Sequence, residues 1–167
     1  SEPAVIELKV AEIRVTGAER PPVVVLTEID GDGRRLPIWM SHGGAAAILA
    51  ATEEPDVERP SIHDVVGQLL GPDSLDLSAV RLTGGEDGQF FAELVLASRS
   101  VPARPSDAIA LALRTHCPIT CTEELLADFG VAAEAAQPEP AQDEVERFIE
   151  FLDKVTPEDF TGDDGQP

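Results

Sequence analysis

The sequence predicts an α+β domain, a mixed or antiparallel sheet of hairpins with packed helices, followed by a C-terminal amphipathic helix on an acidic linker. Three observations point there. Alternating and β-branched apolar runs are joined by strong turn signals, Asp30-Gly31-Asp32-Gly33 and Gly84-Gly85-Glu86-Asp87-Gly88, the mark of hairpins. Ala- and Leu-rich stretches with polar caps fall between these runs and have the length of helices. The chain is 167 residues long and 43% hydrophobic, enough for one domain with a buried core. Only 4% of residues are aromatic, with one Trp and no Tyr, so that core is built from Val, Ile, Leu and Ala.

The elements follow in order. Ala4 to Val15 alternates, with a phase shift between Val10 and Ile13, and reads as a long, bulged strand. Glu19-Arg20-Pro21-Pro22 is a turn, and Val23 to Ile29 is a β-branched, buried strand. Asp30 to Gly33 closes a hairpin onto Arg34 to Trp39; the same Asp-Gly-Asp-Gly run lacks the later ligand positions of a calcium loop. Gly43 to Thr52 is Ala-rich and helical, and Glu53 to Pro60 is an acidic loop. Ser61 to Leu70 is a helix, with Ser61 as N-cap and Asp64 three residues on, a variant of the capping box; Gly71-Pro72 stops it. Leu75 to Thr83 and Gln89 to Ala97 form a second hairpin. Arg104 to Arg114 is a helix whose Ala108, Ile109, Leu111, Ala112 and Leu113 suit tight burial, with Pro105 at its first turn and Ser106 or Asp107 available to cap it. A short strand, Ile119 to Cys121, and a helix from Thr122 to about Phe129 complete the domain, residues 1–130.

Beyond it, 131–141 is a linker of Ala, Glu, Gln and Pro, 142–160 holds an amphipathic helix with Val145, Phe148, Ile149, Leu152 and Val155 spaced by threes and fours, and 161–167 reads as a disordered tail. That helix either folds back on its own domain or docks on a protein partner.

Charge bounds the function. The net charge is −20. Residues 1–130 hold 10 Lys/Arg against 21 Asp/Glu, and residues 131–167 hold 2 against 11. No basic cluster of the kind that displaces counterions from nucleic acid is present, so an active surface for a polyanion must be small or metal-assisted. No stretch reaches the roughly 18 apolar residues of a membrane span, and the opening Ser-Glu-Pro-Ala lacks a basic-then-apolar leader pattern. A cytoplasmic setting is the expectation. Cys117 and Cys121 flank Pro118-Ile119-Thr120; in a strand they lie roughly 13 Å apart, too far for a disulfide, and with His116 they match no common zinc module.

Two helix N-termini carry the chemistry. His63 and Asp64 open one, beside Arg59; Arg104 and Asp107 open the other. His63 has the chemistry of a general acid or base, Asp64 and Asp107 of Mg²⁺ or Mn²⁺ ligands, and Arg59 and Arg104 of phosphate contacts. The plain alternative is that both aspartates are caps and the arginines local ion-pair partners. Glu93 sits in a strand register that exposes it, and His42 reads as a solvated residue at a helix start.

The run Arg104-Pro105-Ser106-Asp107-Ala108-Ile109-Ala110-Leu111-Ala112-Leu113-Arg114 also resembles the hallmark run of the bifunctional nuclease domain family. Leu36-Pro37-Ile38-Trp39-Met40, Arg59-Pro60-Ser61-Ile62-His63-Asp64 and Gly88-Gln89-Phe90-Phe91-Ala92-Glu93-Leu94 are similar to further family stretches in the same order, over about residues 5–130. The resemblance implies an α+β homodimer with DNase and RNase activity; the family supplies no catalytic assignment, so His63, Asp64 and Asp107 are catalytic candidates on their chemistry at matched positions, and no organic cofactor is expected. One departure stands out. Where the family has Gly-Pro-x-Glu-Ala after its Trp strand, this chain has Ser41-His42-Gly43-Gly44-Ala45, so Gly44 replaces a carboxylate. Three functions are compatible with these residues: a divalent-metal-dependent nuclease, a non-catalytic homodimeric interaction protein with an acidic surface, and a regulatory domain that binds a small anion at the Arg59 and Arg104 helix ends.

Overall fold

The structure, a computed structural model, describes residues 4–70, 77–84 and 86–133. The Gly71-Pro72 stop, the start of the strand expected from Leu75, most of the linker, the 142–160 helix and the 161–167 tail lie outside the described residues. The strands are β1 (Val5–Arg14), β2 (Val23–Glu28), β3 (Arg35–Trp39), β4 (Ala79–Gly84), β5 (Phe90–Val95), β6 (Ser100–Ala103) and β7 (Ile119–Thr122). The helices are α1 (His42–Ala51), α2 (Ile62–Leu69), α3 (Pro105–Thr115) and α4 (Glu123–Phe129).

All seven strands form one mixed sheet in the order β3-β2-β1-β7-β4-β5-β6. The β1–β2–β3 and β4–β5–β6 runs are antiparallel meanders. β7, the last strand in sequence, enters between them, antiparallel to β1 and parallel to β4. The Thr120 hydroxyl donates to the Val80 carbonyl at 3.1 Å across that parallel seam.

The phase shift in β1 has a structural cause. Leu8 and Ile13 are both buried although five residues apart, which places them on opposite faces of a regular strand. The pairing with β2 skips a residue between Val10 and Glu12, and this bulge returns Ile13 to the core face. β6 carries no strand signal in the sequence because it is four residues long and contains Pro102. As an edge strand it needs only one ladder, so proline is tolerated there.

α3 is the centre of the helical layer. Ala108, Ile109, Ala110, Leu111 and Ala112 are all buried, and both α1 and α2 pack against the helix. α4 sits against β3 and β7, with Phe129 edge-on to Phe90 at 5.3 Å between ring centres. Arg34, at the end of the first hairpin loop, clamps Glu28 and both carboxylate oxygens of Glu123 at the start of α4. Gly130 ends α4 with its N–H on the Leu126 carbonyl, and Val131 then exchanges two backbone hydrogen bonds with Arg35. Cys117 and Cys121 are free thiols, and burial pushes Cys121 up to about 11. Among the described residues no helix is long and apolar enough to cross a membrane.

Candidate functional site

The helix starts of α2 and α3 meet. In α2, Ser61 is the N-cap: its hydroxyl accepts from the Asp64 N–H at 3.1 Å, while the Asp64 carboxylate accepts from the Ser61 N–H at 3.0 Å. This capping box leaves His63, one of the two residues between, projecting from the first turn towards α3. There, Asp107 receives His63 Nε2 on one oxygen at 2.9 Å and Arg104 Nε on the other at 2.7 Å. The three groups come from residues up to 44 apart in sequence.

α3 starts differently from the expectation. Arg104 is its N-cap and makes no side-chain capping bond, with Pro105 at the first position. Asp107 does not cap, because both of its oxygens are engaged by His63 and Arg104. Capping therefore accounts for Asp64 and leaves Asp107 without that explanation. The Arg104 guanidinium is the main reason the Asp107 carboxyl lies below the usual carboxylate range; burial opposes the shift and His63 adds to it. An ionised Asp107 accepts only, so His63 donates its Nε2 proton to it and Nδ1 points away from that bond.

Asp64 faces away from this trio. It is 8% exposed and ion-paired with the Arg114 guanidinium of α3. Arg114 also donates to the Ala50 and Glu53 carbonyls, so one cation ties α1, α2 and α3 together. Arg59 lies exposed in the acidic loop, its backbone N–H bonded to Asp56. Of the five residues singled out from sequence, the fold thus joins His63, Asp107 and Arg104, and leaves Asp64 and Arg59 outside. Glu93 pairs with Arg81 across the β4–β5 ladder.

These residues do not form a ready-made divalent-metal site. Asp64 and Asp107, the two expected carboxylate ligands, belong to different clusters, and each is held by an arginine. Among the described residues no three His, Cys, Asp or Glu side chains gather to hold a metal ion.

The absence of a carboxylate at position 44 also has a local cause. α1 approaches the start of α3 so closely that a Cβ on Gly44 would lie 2.8 Å from the Ser106 Cβ and 3.0 Å from its hydroxyl. Ser106 Cβ is fixed to the backbone and cannot swing aside. Gly44→Ala is therefore expected to destabilise the chain by about 1–2 kcal/mol, overpacking outweighing the gain in helix propensity. Adding Ser106→Gly is expected to recover the loss. Chemical denaturation of both single variants and the double variant checks this, and purely additive effects would count against the contact.

Sequence reasoning missed a groove beside the trio. It holds about 670 Å³ and is lined by the end of β3, by β5 and by the β6–α3 junction. β3 and β6 are opposite edges of the sheet, so the sheet curls enough for its two edges to share one groove. Trp39 and Phe91 line it and are 62% and 50% exposed. A signal was present in the sequence. Ile38-Trp39 and Phe90-Phe91 are adjacent large residues in strands, and neighbours in a strand point to opposite faces.

The sequence profile of the bifunctional nuclease domain matches residues 24–134. The chain belongs to the bifunctional nuclease domain family. An uncharacterized protein of Mycobacterium tuberculosis is 39% identical over 160 residues, which cover 92% of this chain and 97% of that protein. Bifunctional nuclease 1 of Arabidopsis thaliana is 29% identical over 133 residues, 73% of this chain and 41% of that protein. Bifunctional nuclease 2 of the same plant is 31% identical over 109 residues, 61% of this chain and 33% of that protein. The match to the plant proteins therefore spans less than half of their length.

Proposed function

We propose that this chain is a phosphodiesterase acting on nucleic acid, with His63 as the proton-transfer group, Asp107 as its positioning partner and Arg104 as the phosphate contact. The observation that carries the reading is the His63–Asp107–Arg104 trio, whose geometry capping does not require. The names of the plant relatives support it. In this reading His63 Nδ1 takes the proton of the attacking water, and Asp107 holds the ring in that tautomer and stabilises the imidazolium formed. Arg104 spends only Nε on Asp107, so its two terminal nitrogens remain for two oxygens of one phosphate. No step is assigned to Mg²⁺ or Mn²⁺, since one chain supplies no metal cluster among its described residues. A cation used in cleavage has to come with the phosphate and its waters, as Mg²⁺ commonly does.

The test is cleavage of single- and double-stranded DNA and RNA with Mg²⁺, Mn²⁺ or EDTA, by wild type and by Asp107→Asn purified identically. Cleavage by wild type that the variant loses supports the assignment. Equal traces in both identify a contaminant and overturn it.

A second reading, a homodimeric interaction protein, is favoured by one observation. The outer face of α2 presents Ile62, Val65 and Leu69, with Ile62 67% and Leu69 62% exposed. This stripe, at helical spacing, suits an isologous contact with a second copy. Sedimentation of wild type is expected to show a dimer that Leu69→Glu converts to monomer; a monomeric wild type would remove the reading.

A further inference from the structure

The groove beside the trio has a composition at odds with the rest of the molecule. The chain carries 32 Asp and Glu, yet none is among the described residues that line the groove, and its one charged lining residue is Arg104. An acidic protein repels a polyanion over most of its surface. In the lining of this groove no carboxylate opposes a polyanion, and a cation is already in place.

Its walls are suited to bases. Trp39 and Phe91 are largely exposed although they are two of only seven aromatic residues in the chain. Exposed ring faces are stacking platforms for unpaired bases, which present a π-face that a duplex keeps buried in its own stack. Ser106, 7% exposed at the second position of α3, also lines the groove, and among the described residues no partner takes its hydroxyl. A volume of about 670 Å³ is in the range of small-molecule sites. The groove runs into the trio without a gap in sequence: Arg104, Pro105 and Ser106 line it, and Asp107 follows.

We propose that this groove is a base-binding subsite that selects single-stranded nucleic acid, with bases stacked on both Trp39 and Phe91 and the adjoining phosphate on Arg104. The direction of the strand, from groove to His63, rests on the phosphodiesterase reading above; the stacking does not. Selection follows from geometry, because a base held in a duplex cannot offer its face to either ring.

Trp39 is the one tryptophan of the chain, so tryptophan emission reports this groove alone. The experiment titrates His63→Ala protein, whose cleavage the catalytic reading slows below the time of a titration, with an unstructured oligothymidylate and with a blunt duplex of equal length. Saturable quenching by the single strand and none by the duplex is expected. Phe91→Ala, a change at a half-exposed position, is expected to weaken single-strand affinity on the order of tenfold, the scale of one lost base stack. Equal quenching by duplex, no saturable change, or unaltered affinity in Phe91→Ala overturns the proposal. The two readings fail separately. Saturable quenching with no cleavage by wild type keeps the groove and removes the chemistry. Cleavage of both strand forms without quenching keeps the chemistry and removes the groove.

Discussion

His63→Ala is expected to lower phosphodiester cleavage by about 10²–10⁴-fold, the usual contribution of a positioned acid–base group, with the fold intact. The fold survives because the ring does no core work. It is half-buried between two helix starts, and its hydrogen bond goes to Asp107. Ser61 and Asp64 continue to cap α2 without it. Asp107→Asn separates positioning from simple loss of a contact. The amide keeps the size of the carboxylate but can turn its NH₂ towards Nε2, which moves the ring proton to Nδ1 and blocks that nitrogen as a base. The expected signature is a fall in kcat with little change in KM. Arg104→Ala should instead raise KM, because in the proposed mechanism its terminal nitrogens would contact phosphate in ground and transition states alike. If all three variants cut as wild type does, the trio is structural.

Asp64→Ala is expected to cost about 3 kcal/mol of stability and lower Tm by about 10 °C. Two losses combine. The Ser61 N–H loses its acceptor on the Asp64 carboxylate, worth about 1 kcal/mol, while the Ser61 hydroxyl still caps the N–H of residue 64. Arg114, a largely buried cation, also loses its counter-charge while keeping only the Ala50 and Glu53 carbonyls. The pH dependence follows from the same contacts. Burial raises the Asp64 pKa, but the Ser61 N–H and hydroxyl bonds and the Arg114 charge outweigh it, so the carboxyl lies below its ordinary value of 3.8. A depressed folded pKa stabilises the protein fully above the unfolded value, and that stability drains away as pH falls through the folded one. The gap between wild type and Asp64→Ala should therefore be widest near neutrality and narrow below pH 3.8. Denaturant unfolding at neutral and acidic pH measures it. A gap unchanged by pH would mean that the carboxylate charge plays no part. Cleavage that persists in the folded fraction of Asp64→Ala would place Asp64 outside the chemistry.

The sequence by itself determined the elements whose causes are local. Ser61 and Asp64 announce α2 because a capping box needs only three intervening peptide units. The Asp30–Gly33 loop announces its hairpin because Gly31 and Gly33 supply the positive φ it requires. The unbroken apolar run of α3 announced burial, and the lost alternation in β1 announced its bulge. The candidate residues His63, Arg104 and Asp107 were visible for the same reason: each sits at a readable helix start. Their union was not. His63 and Asp107 meet because α2 packs on α3, a contact that no local pattern encodes. Only the tertiary structure decided that Asp64 turns to Arg114 while Asp107 turns to His63, although both are acidic residues in a first helical turn. It also decided that β7 joins the two meanders, that Pro102 lies on an edge, that Gly44 admits no side chain against Ser106, and that opposite edges of one sheet share a groove. Periodicity, caps and turns act over a few residues, whereas these outcomes depend on which surfaces bury each other after the chain has closed its long loops.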